Sequence, residues 1–403
     1  MSNVWIPIII AVVGAVLFVA IWLEHASLSK SIFRPPVPPK RLEKYPSITV
    51  IRPIRGLDPG CRENTIALLE QVYPGEVQTL FVFDHVGDPA LPVVSEIVRT
   101  MPCGKNAQVL IAGPPPPNRT GKLNAMICGL TAARGELIAF NDSDSRPTPY
   151  LLRVLADELL SNDKIGCAFT PVVTHRAPQT AGEVGYTLLV NAWYGPAVTA
   201  ASGQTGELPF IMGELMLLSR KAIDAIGGLE CAQGQLVDDM YLGACIHKAG
   251  LKNVMVRWPL PLVTDRIDMK DFFHLFRRWL ACSQSGLPPD FLRRNWRRGV
   301  EAGAAFALTL LGLFVGHGWA AIFPGAALLL FSWSQLELHE KFSGQRVQLK
   351  HAWMPAVLPL IGGIVQISTR LKPKISWRGR SYDLNASATL SQRPHEERAS
   401  SAL

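Results

Sequence analysis

The chain has 403 residues, and its 40 Lys and Arg against 32 Asp and Glu give a formal net charge of +8. Apolar residues make up 48% and charged residues only 18%, below the roughly one quarter usual in soluble domains. Mean hydropathy is positive, which excludes a disordered chain. An ordinary water-soluble protein is excluded too, because Asp, Glu, Lys and Arg are absent from residues 1–23, 302–336 and 351–369. The remainder is long enough to bury a substantial core. These features describe a globular protein anchored in a membrane.

The stretch from Val4 to Leu23 is rich in Ile, Val, Leu, Phe and Ala. At 1.5 Å per residue, about 20 such residues cross roughly 30 Å of hydrocarbon. A signal peptide would need a basic residue before the apolar run, a shorter apolar core and an A-x-A-like cleavage site. The first basic residue is Lys30, so residues 1–29 read as an uncleaved anchor. Lys30, Arg34, Lys40 and Arg41 then follow on one side. That asymmetry predicts an integral membrane protein with its N-terminus outside and its main domain in the cytoplasm. Residues 30–46 contain Pro35-Pro36-Val37-Pro38-Pro39, a stiff extended spacer.

Residues 47–270 alternate β-branched runs with helical patterns. Strands are predicted at Ser47–Ile54, Val77–Asp84, Ala107–Ala112 and Glu136–Asp142, and helices at Cys61–Gln71, Pro89–Met101, Lys122–Ala133 and Tyr150–Ser161. This alternation predicts an α/β fold, a parallel sheet with helices on both faces. No G-x-G-x-x-G or P-loop follows a strand, which weakens a dinucleotide or P-loop reading. Seven cysteines lack C-x-x-C or zinc-like spacing and read as free thiols. The sequons at Asn118 and Asn385 are short enough to arise by chance.

Residues 271–300 form a basic, aromatic stretch with Arg277, Arg278, Trp279, Arg293, Arg294, Trp296, Arg297 and Arg298. Arg293–Arg298 fit a headgroup-level cluster beside a membrane segment, not a nucleic-acid footprint. Residues 301–369 hold two to three membrane segments. Gly316-His317-Gly318 predicts a turn within the first window, and Pro355, Pro359 and Gly362-Gly363 favour re-entry over a full span in 351–369. Re-entry would return the basic residues 370–380 to the cytoplasm. Residues 370–403 read as a basic, disordered tail.

Open α/β sheets bind ligands beyond the carboxyl ends of their strands. Two predicted strands end in aspartates there, at Asp84 and at Asp142-Ser143-Asp144. In extended chain, side chains two apart share a face. Asp142 and Asp144 can therefore present hard oxygen ligands for Mg²⁺ or Mn²⁺, or simply open the turn before Pro147. Asp238-Asp239 precedes a helical run. These two carboxylates suit either a helix N-terminus or a general base held in a cleft.

In this order the motifs resemble the membrane-bound glycosyltransferases, families 21 and 2, that include ceramide glucosyltransferase. The resemblance rests on Asp84 in Phe83-Asp84-His85, Lys122 and Asn124 in Gly121-Lys122-Leu123-Asn124, and Asp142-Ser143-Asp144. Gly213-Glu214, Asp239 and Arg278-Trp279 complete it. The residue four before Trp279 is Leu275, where the family has Gln or Arg, and His274 and Arg277 flank it. The resemblance implies a GT-A fold and inverting transfer of a sugar, glucose foremost, from a UDP-sugar donor to a lipid acceptor, foremost ceramide. It implies donor contacts from Asp84, Lys122, Asn124 and Asp142, and a divalent metal on Asp144 and Asp142. It further implies Asp239 as base, Arg278 and Trp279 closing the site, and Gly213 and Glu214 on the acceptor side. A hopanoid or diacylglycerol acceptor, a processive polysaccharide synthase and a non-catalytic scaffold remain as alternatives. Three C-terminal segments are few for a polymer channel, and intact aspartates argue against a scaffold.

Overall fold

The computed structural model describes residues 5–32, 44–315, 317–371, 374–383, 390 and 395–396. The prolines 35–39, the basic residues Arg34, Lys40 and Arg41, and the Asn385 sequon lie outside them. The chain opens with a long apolar helix, α1 (Trp5–Ser31). Beyond the linker, β1 (Ile48–Ile54), β2 (Val77–Phe83), β3 (Ala107–Ile111) and β4 (Leu137–Asn141) fall within a residue or so of the predicted strands. So do α2 (Cys61–Leu69), α3 (Leu91–Thr100), α4 (Gly121–Ala132) and α5 (Leu151–Leu159) among the predicted helices, to within about two residues.

The chain continues through β5 (Ile165–Phe169), β6 (Val172–Thr174), α6 (Ala181–Leu188) and α7 (Gly195–Thr205). It then forms β7 (Leu215–Ser219), α8 (Arg220–Ala225), α9 (Asp238–Lys248), β8 (Lys252–Met255) and β9 (Leu260–Leu262). The main sheet has the order β3-β2-β1-β4-β7-β5-β8, while β6 and β9 pair apart from it. The expected all-parallel sheet is instead mixed, because β7 runs antiparallel to both β4 and β5. The chain re-enters after α7 beside the carboxyl end of β4, where Asp142 N–H donates to the Glu214 carbonyl at 2.9 Å. Entry from that end forces the reversal. Alternate residues of the central strands feed two apolar layers: Ile51, Leu80, Ile138 and Phe140 on one face, Val50, Phe81, Phe83 and Ala139 on the other. Both faces are covered, as near-continuous apolar strands require.

Four long helices follow: α10 (Met269–Gly286), α11 (Pro289–Phe314), α12 (Ile322–Ser343) and α13 (Met354–Leu371). Three segments, Trp5–Ser31, Gly318–Ser343 and Leu349–Leu371, are long and apolar enough to cross a membrane. The uncharged part of α11, residues 302–314, spans only about 20 Å. The chain does turn between α11 and α12 where the glycines predict it, with Gly316 itself outside the described residues. Helix α1 lies along α12. Bare Gly14 accommodates Pro324, His25 Nδ1 sits 2.9 Å from Ser334 Oγ, and Lys341 Nζ donates to Ser29 Oγ at 2.6 Å. The outer face of α1 exposes Ile9, Val12, Val16, Val19 and Leu23, a surface suited to lipid.

Three expectations change. First, α13 is one continuous helix, not a hairpin, with Pro359 inside it. Pro355 falls in the first turn, where no N–H is needed, so Pro359 removes only a single ladder bond. Both ends of α13 are nevertheless tied to the rest of the fold outside the apolar helices. Gln348 donates to Gln179 Oε1 at 3.0 Å before the helix, and Arg277 donates to the Lys374 carbonyl at 3.0 Å after it. Second, residues 374–383 are not a disordered tail. They form a hairpin of β10 (Lys374–Trp377) and β11 (Arg380–Asp383).

Third, Arg298 is not a headgroup-facing residue. It is 4% exposed, lies 4.8 Å over the Trp193 ring, donates at 3.1 Å to the carbonyls of Ala192 and Trp193 and pairs with Glu24 at 3.3 Å. One guanidinium thus ties α1, α11 and the segment before α7 together. Breaking a buried, hydrogen-bonded charge of this kind costs about 3–5 kcal/mol, whereas Arg294 is exposed. Arg298→Ala is therefore expected to lower the melting temperature of the detergent-solubilised chain by several degrees, with Arg294→Ala unchanged. Equal melting of the two variants would return Arg298 to the headgroup cluster.

Candidate active site

The carboxyl ends of β1, β2 and β4 and the start of α9 open onto one cavity of ≈190 Å³. Asp84, Lys122, Asp142, Asp144, Gly213, Glu214, Asp239, Arg278 and Trp279 all line it. Of the predicted site residues only Asn124 does not. Its Nδ2 donates to the Gly113 carbonyl at 3.2 Å and its Oδ1 lies 3.4 Å from Arg119, so it fixes the loop before α4.

The D-x-D segment is held from below. Arg52, buried in the sheet, donates from Nε to Asn141 Oδ1 at 3.0 Å and from Nη2 to the Ser145 carbonyl at 3.2 Å. Asn141 Nδ2 in turn donates to Ser145 Oγ at 2.8 Å and to the Glu214 carbonyl at 3.0 Å. This frame brings Asp142, Asp144 and Glu214 together, each offering an oxygen within 4.8 Å of the others. At that spacing two unit charges repel by about 3 kcal/mol at an effective dielectric of 20. Burial pushes Asp142 up to about 6, against the opposing pull of Lys122. Burial, then Asp142 and Asp144, push Glu214 well above its usual range. Asp144 Oδ1 and Glu214 Oε2 are buried without hydrogen-bond partners. Orphaned oxygens in an all-oxygen donor set fit a hard divalent cation.

Lys122 stands inside this cluster, with Nζ 2.8 Å from Asp142. Burial opposes its charge, but Asp142, Asp238, Asp239 and Glu214 outweigh that and raise it well above the usual lysine value. Asp239 sits in the first turn of α9. Its Oδ2 accepts from the Gly213 N–H, and its Oδ1 accepts from the Met240 N–H at 2.8 Å. Burial raises its pKa, partly offset by Lys122. A Cβ on residue 213 would lie 2.3 Å from the Asp239 Cβ, so only glycine fits that close approach. Gly213 therefore positions Asp239, and Glu214 joins the candidate metal group.

Helix α10 supplies the opposite wall. The Trp279 ring lies 6.2 Å from Tyr186 and 5.7 Å from Tyr194, and Ser283 Oγ donates to the Tyr194 hydroxyl at 2.8 Å. Leu275 turns away from the cavity and packs half-buried in the apolar layer. His274 is exposed, so neither flanking residue takes its place in the cavity.

Several residues in and beside the cavity escaped the sequence reading. Asp84 pairs with Arg55 and lies 2.9 Å from Arg380 Nη1. Asp58 accepts from Ser143 Oγ and from Arg378 Nη2, the latter at 3.2 Å. Arg55 and Asp58 follow β1, so the strand-end rule that singled out Asp84 and Asp142 also reaches them. For Arg378 and Arg380 the available signal was the alternation Ile375-Ser376-Trp377, read instead as part of a tail.

The fold and the site can be set beside known proteins. A mannosyltransferase from Pyrobaculum calidifontis, solved in complex with GDP-Man and Mn²⁺, superposes with a TM-score of 0.52 at 18% identity. The match covers 88% of this chain and 99% of that one, and it supports the GT-A-like arrangement. Ceramide glucosyltransferase 3 of Caenorhabditis elegans is 23% identical over 387 residues, 93% of this chain and 81% of the relative. Ceramide glucosyltransferase 1 of the same organism is 22% identical over 352 residues, 84% of this chain and 72% of the relative. The profile of glycosyl transferase family 21 matches residues 6–390. A glycosyltransferase domain with its acidic cavity intact, joined to membrane helices, accounts for that match along nearly the whole chain, which belongs to glycosyltransferase family 21.

Proposed function

We propose that this glycosyltransferase moves glucose from UDP-glucose to the primary hydroxyl of ceramide, with inversion at the anomeric carbon. The observation that carries the reading is the placement of Asp239. It lines the same cavity as the Asp142–Asp144–Glu214 group, opposite a helix that packs against the membrane segments. Gln284 of α10 donates to Gln366 of α13 at 2.8 Å. A lipid hydroxyl offered at the membrane surface can therefore meet a water-soluble donor in one cavity.

Asp84, at the end of β2, takes the uracil or ribose side of the donor. Lys122 and Asp142 face the ribose and diphosphate. A divalent cation, Mg²⁺ or Mn²⁺, would be held by Asp144, Asp142 and Glu214, and when bound it neutralises charge on the departing diphosphate. Asp239 accepts the proton of the attacking hydroxyl as the new bond forms in line. Its raised pKa makes it a stronger base than a free carboxylate, and its two backbone N–H bonds hold it in one orientation. Trp279, backed by Tyr186 and Tyr194, forms the apolar wall against which the acceptor head rests.

Nucleotide sugars reach the cavity from the cytoplasm, so the catalytic domain stands there and the N-terminus outside. α1 and α12 run side by side in the same direction. Both therefore end on the domain side, and α13 then starts and finishes against the domain.

Membranes carrying the chain, given labelled UDP-glucose with ceramide, hopanoid or diacylglycerol, are expected to form a monoglycosylated ceramide of inverted configuration. Label in another lipid would replace the acceptor, and a long polymer would replace the reading by a polysaccharide synthase. Asp239→Asn is expected to lower transfer by about 10²–10⁴-fold while UDP binding stays within about twofold. Full activity in that variant would remove the base. Gly213→Ala, whose Cβ collides with Asp239, is expected to lose activity about 100-fold with normal melting. A Gly213→Ala enzyme with unchanged turnover would show that Asp239 needs no such support.

A further inference from the structure

We propose that the C-terminal hairpin is a wall of the donor site and that Arg378, at its tip, binds the diphosphate of the nucleotide donor. This rests on the reading of the cavity as a nucleotide-sugar site. β10 and β11 pair antiparallel with Trp377 opposite Arg380, leaving Arg378-Gly379 as a two-residue turn. Both turn residues are left-handed, at φ +52° and +69°. Asn-Gly is the usual choice for such a turn. An arginine there costs backbone energy, and this one reaches back into the cavity instead of into solvent.

The hairpin is seated, not merely nearby. Arg380 is buried over the bare Cα of Gly121, where a Cβ would come within 2.1 Å of its Nη1. The Arg278 guanidinium lies 5.8 Å over the Trp377 ring. Ile375 and Tyr382 join the cavity lining. A wall of this kind, built from residues far along the chain, brings a half-exposed cation to the mouth.

That cation is Arg378. Its Nη2 lies 3.2 Å from Asp58 Oδ2 and 3.7 Å from Asp144 Oδ2, so it borders the carboxylate assigned to the metal. Deeper in, Asp84 holds Arg55 and Arg380 and Asp142 holds Lys122, while Arg278 lies over Trp377; Arg378 is held by both oxygens of Asp58, a residue that does not line the cavity. A donor diphosphate adds further negative charge to a cavity already rich in carboxylates. The planar guanidinium fork fits phosphate as well as carboxylate and can exchange Asp58 for the donor. Arg378 is thus a binding residue for the nucleoside diphosphate, supplied by a hairpin near the C-terminal end of the chain.

The test uses the purified full chain in detergent with Mn²⁺, titrated with UDP, GDP, uridine and guanosine. Arg378→Ala is expected to bind the diphosphate at least tenfold more weakly, while the parent nucleoside binds within twofold of wild type. Arg378→Lys, which keeps the charge but not the fork, is expected to recover part of the loss. Unchanged diphosphate binding in a folded Arg378→Ala protein would overturn the proposal. Equal weakening of nucleoside and diphosphate would make the hairpin a structural wall only, and tighter binding would make it a plug. Wild-type protein that binds neither UDP nor GDP would overturn the nucleotide-sugar reading along with this one. Wild-type binding with an indifferent Arg378→Ala removes this proposal alone.

Discussion

Six carboxylates, from Asp84, Asp142, Asp144, Glu214, Asp238 and Asp239, line one cavity; Arg55 and Arg380 pair with Asp84, and Lys122 is the one lysine placed among the other five. Burial makes each charge costly, and their crowding adds repulsion. Lys122 offsets part of this and stays charged because its neighbours demand it. Asp84 takes up Arg55 and Arg380, Asp58 holds Arg378 at 3.7 Å from Asp144, and the orphaned oxygens of Asp144 and Glu214 mark where the remaining deficit lies. The deficit is a standing affinity for a cation, and through it for a phosphate-bearing donor.

The fold maintains this unfavourable gathering. β4 delivers the D-x-D, and the antiparallel return of β7 places Glu214 against it through a backbone hydrogen bond of 2.9 Å. A parallel neighbour would have begun at the far end of the sheet, away from the cavity. Arg52, Asn141 and Ser145 form a buried network beneath the cluster, so the carboxylates cannot relax apart without unpairing it. Gly213 then brings Asp239 close from the other side. Membrane attachment works through the same economy of contacts: Arg298 joins α1 and α11 to the domain, while α10 faces both the cavity and α13.

The first four strands and helices were legible because their apolar runs are buried on both faces and bounded by turns. Asp84, Asp142, Asp144 and Asp239 were legible for a related reason, since strand ends and helix starts are where such sheets expose side chains. Glu214 had no local signature of a place in the acidic group. It acquires that place through β7, whose direction depends on a 40-residue excursion between strands that no short window contains. Arg298 read as one of four similar arginines, and only the depth of its packing against Trp193 separates it from them. The hairpin was missed because two four-residue strands carry little periodic signal, and their burial comes entirely from the cavity they close.

Sugar transfer as proposed depends on a divalent cation at Asp142, Asp144 and Glu214, and Mn²⁺ reports on it directly by electron paramagnetic resonance. Titration of the purified full chain is expected to show one saturable Mn²⁺ per chain, bound more tightly when UDP is present. Asp144→Asn and Glu214→Gln should each weaken it at least tenfold. Absence of a saturable ion, or binding indifferent to both substitutions, would contradict the account.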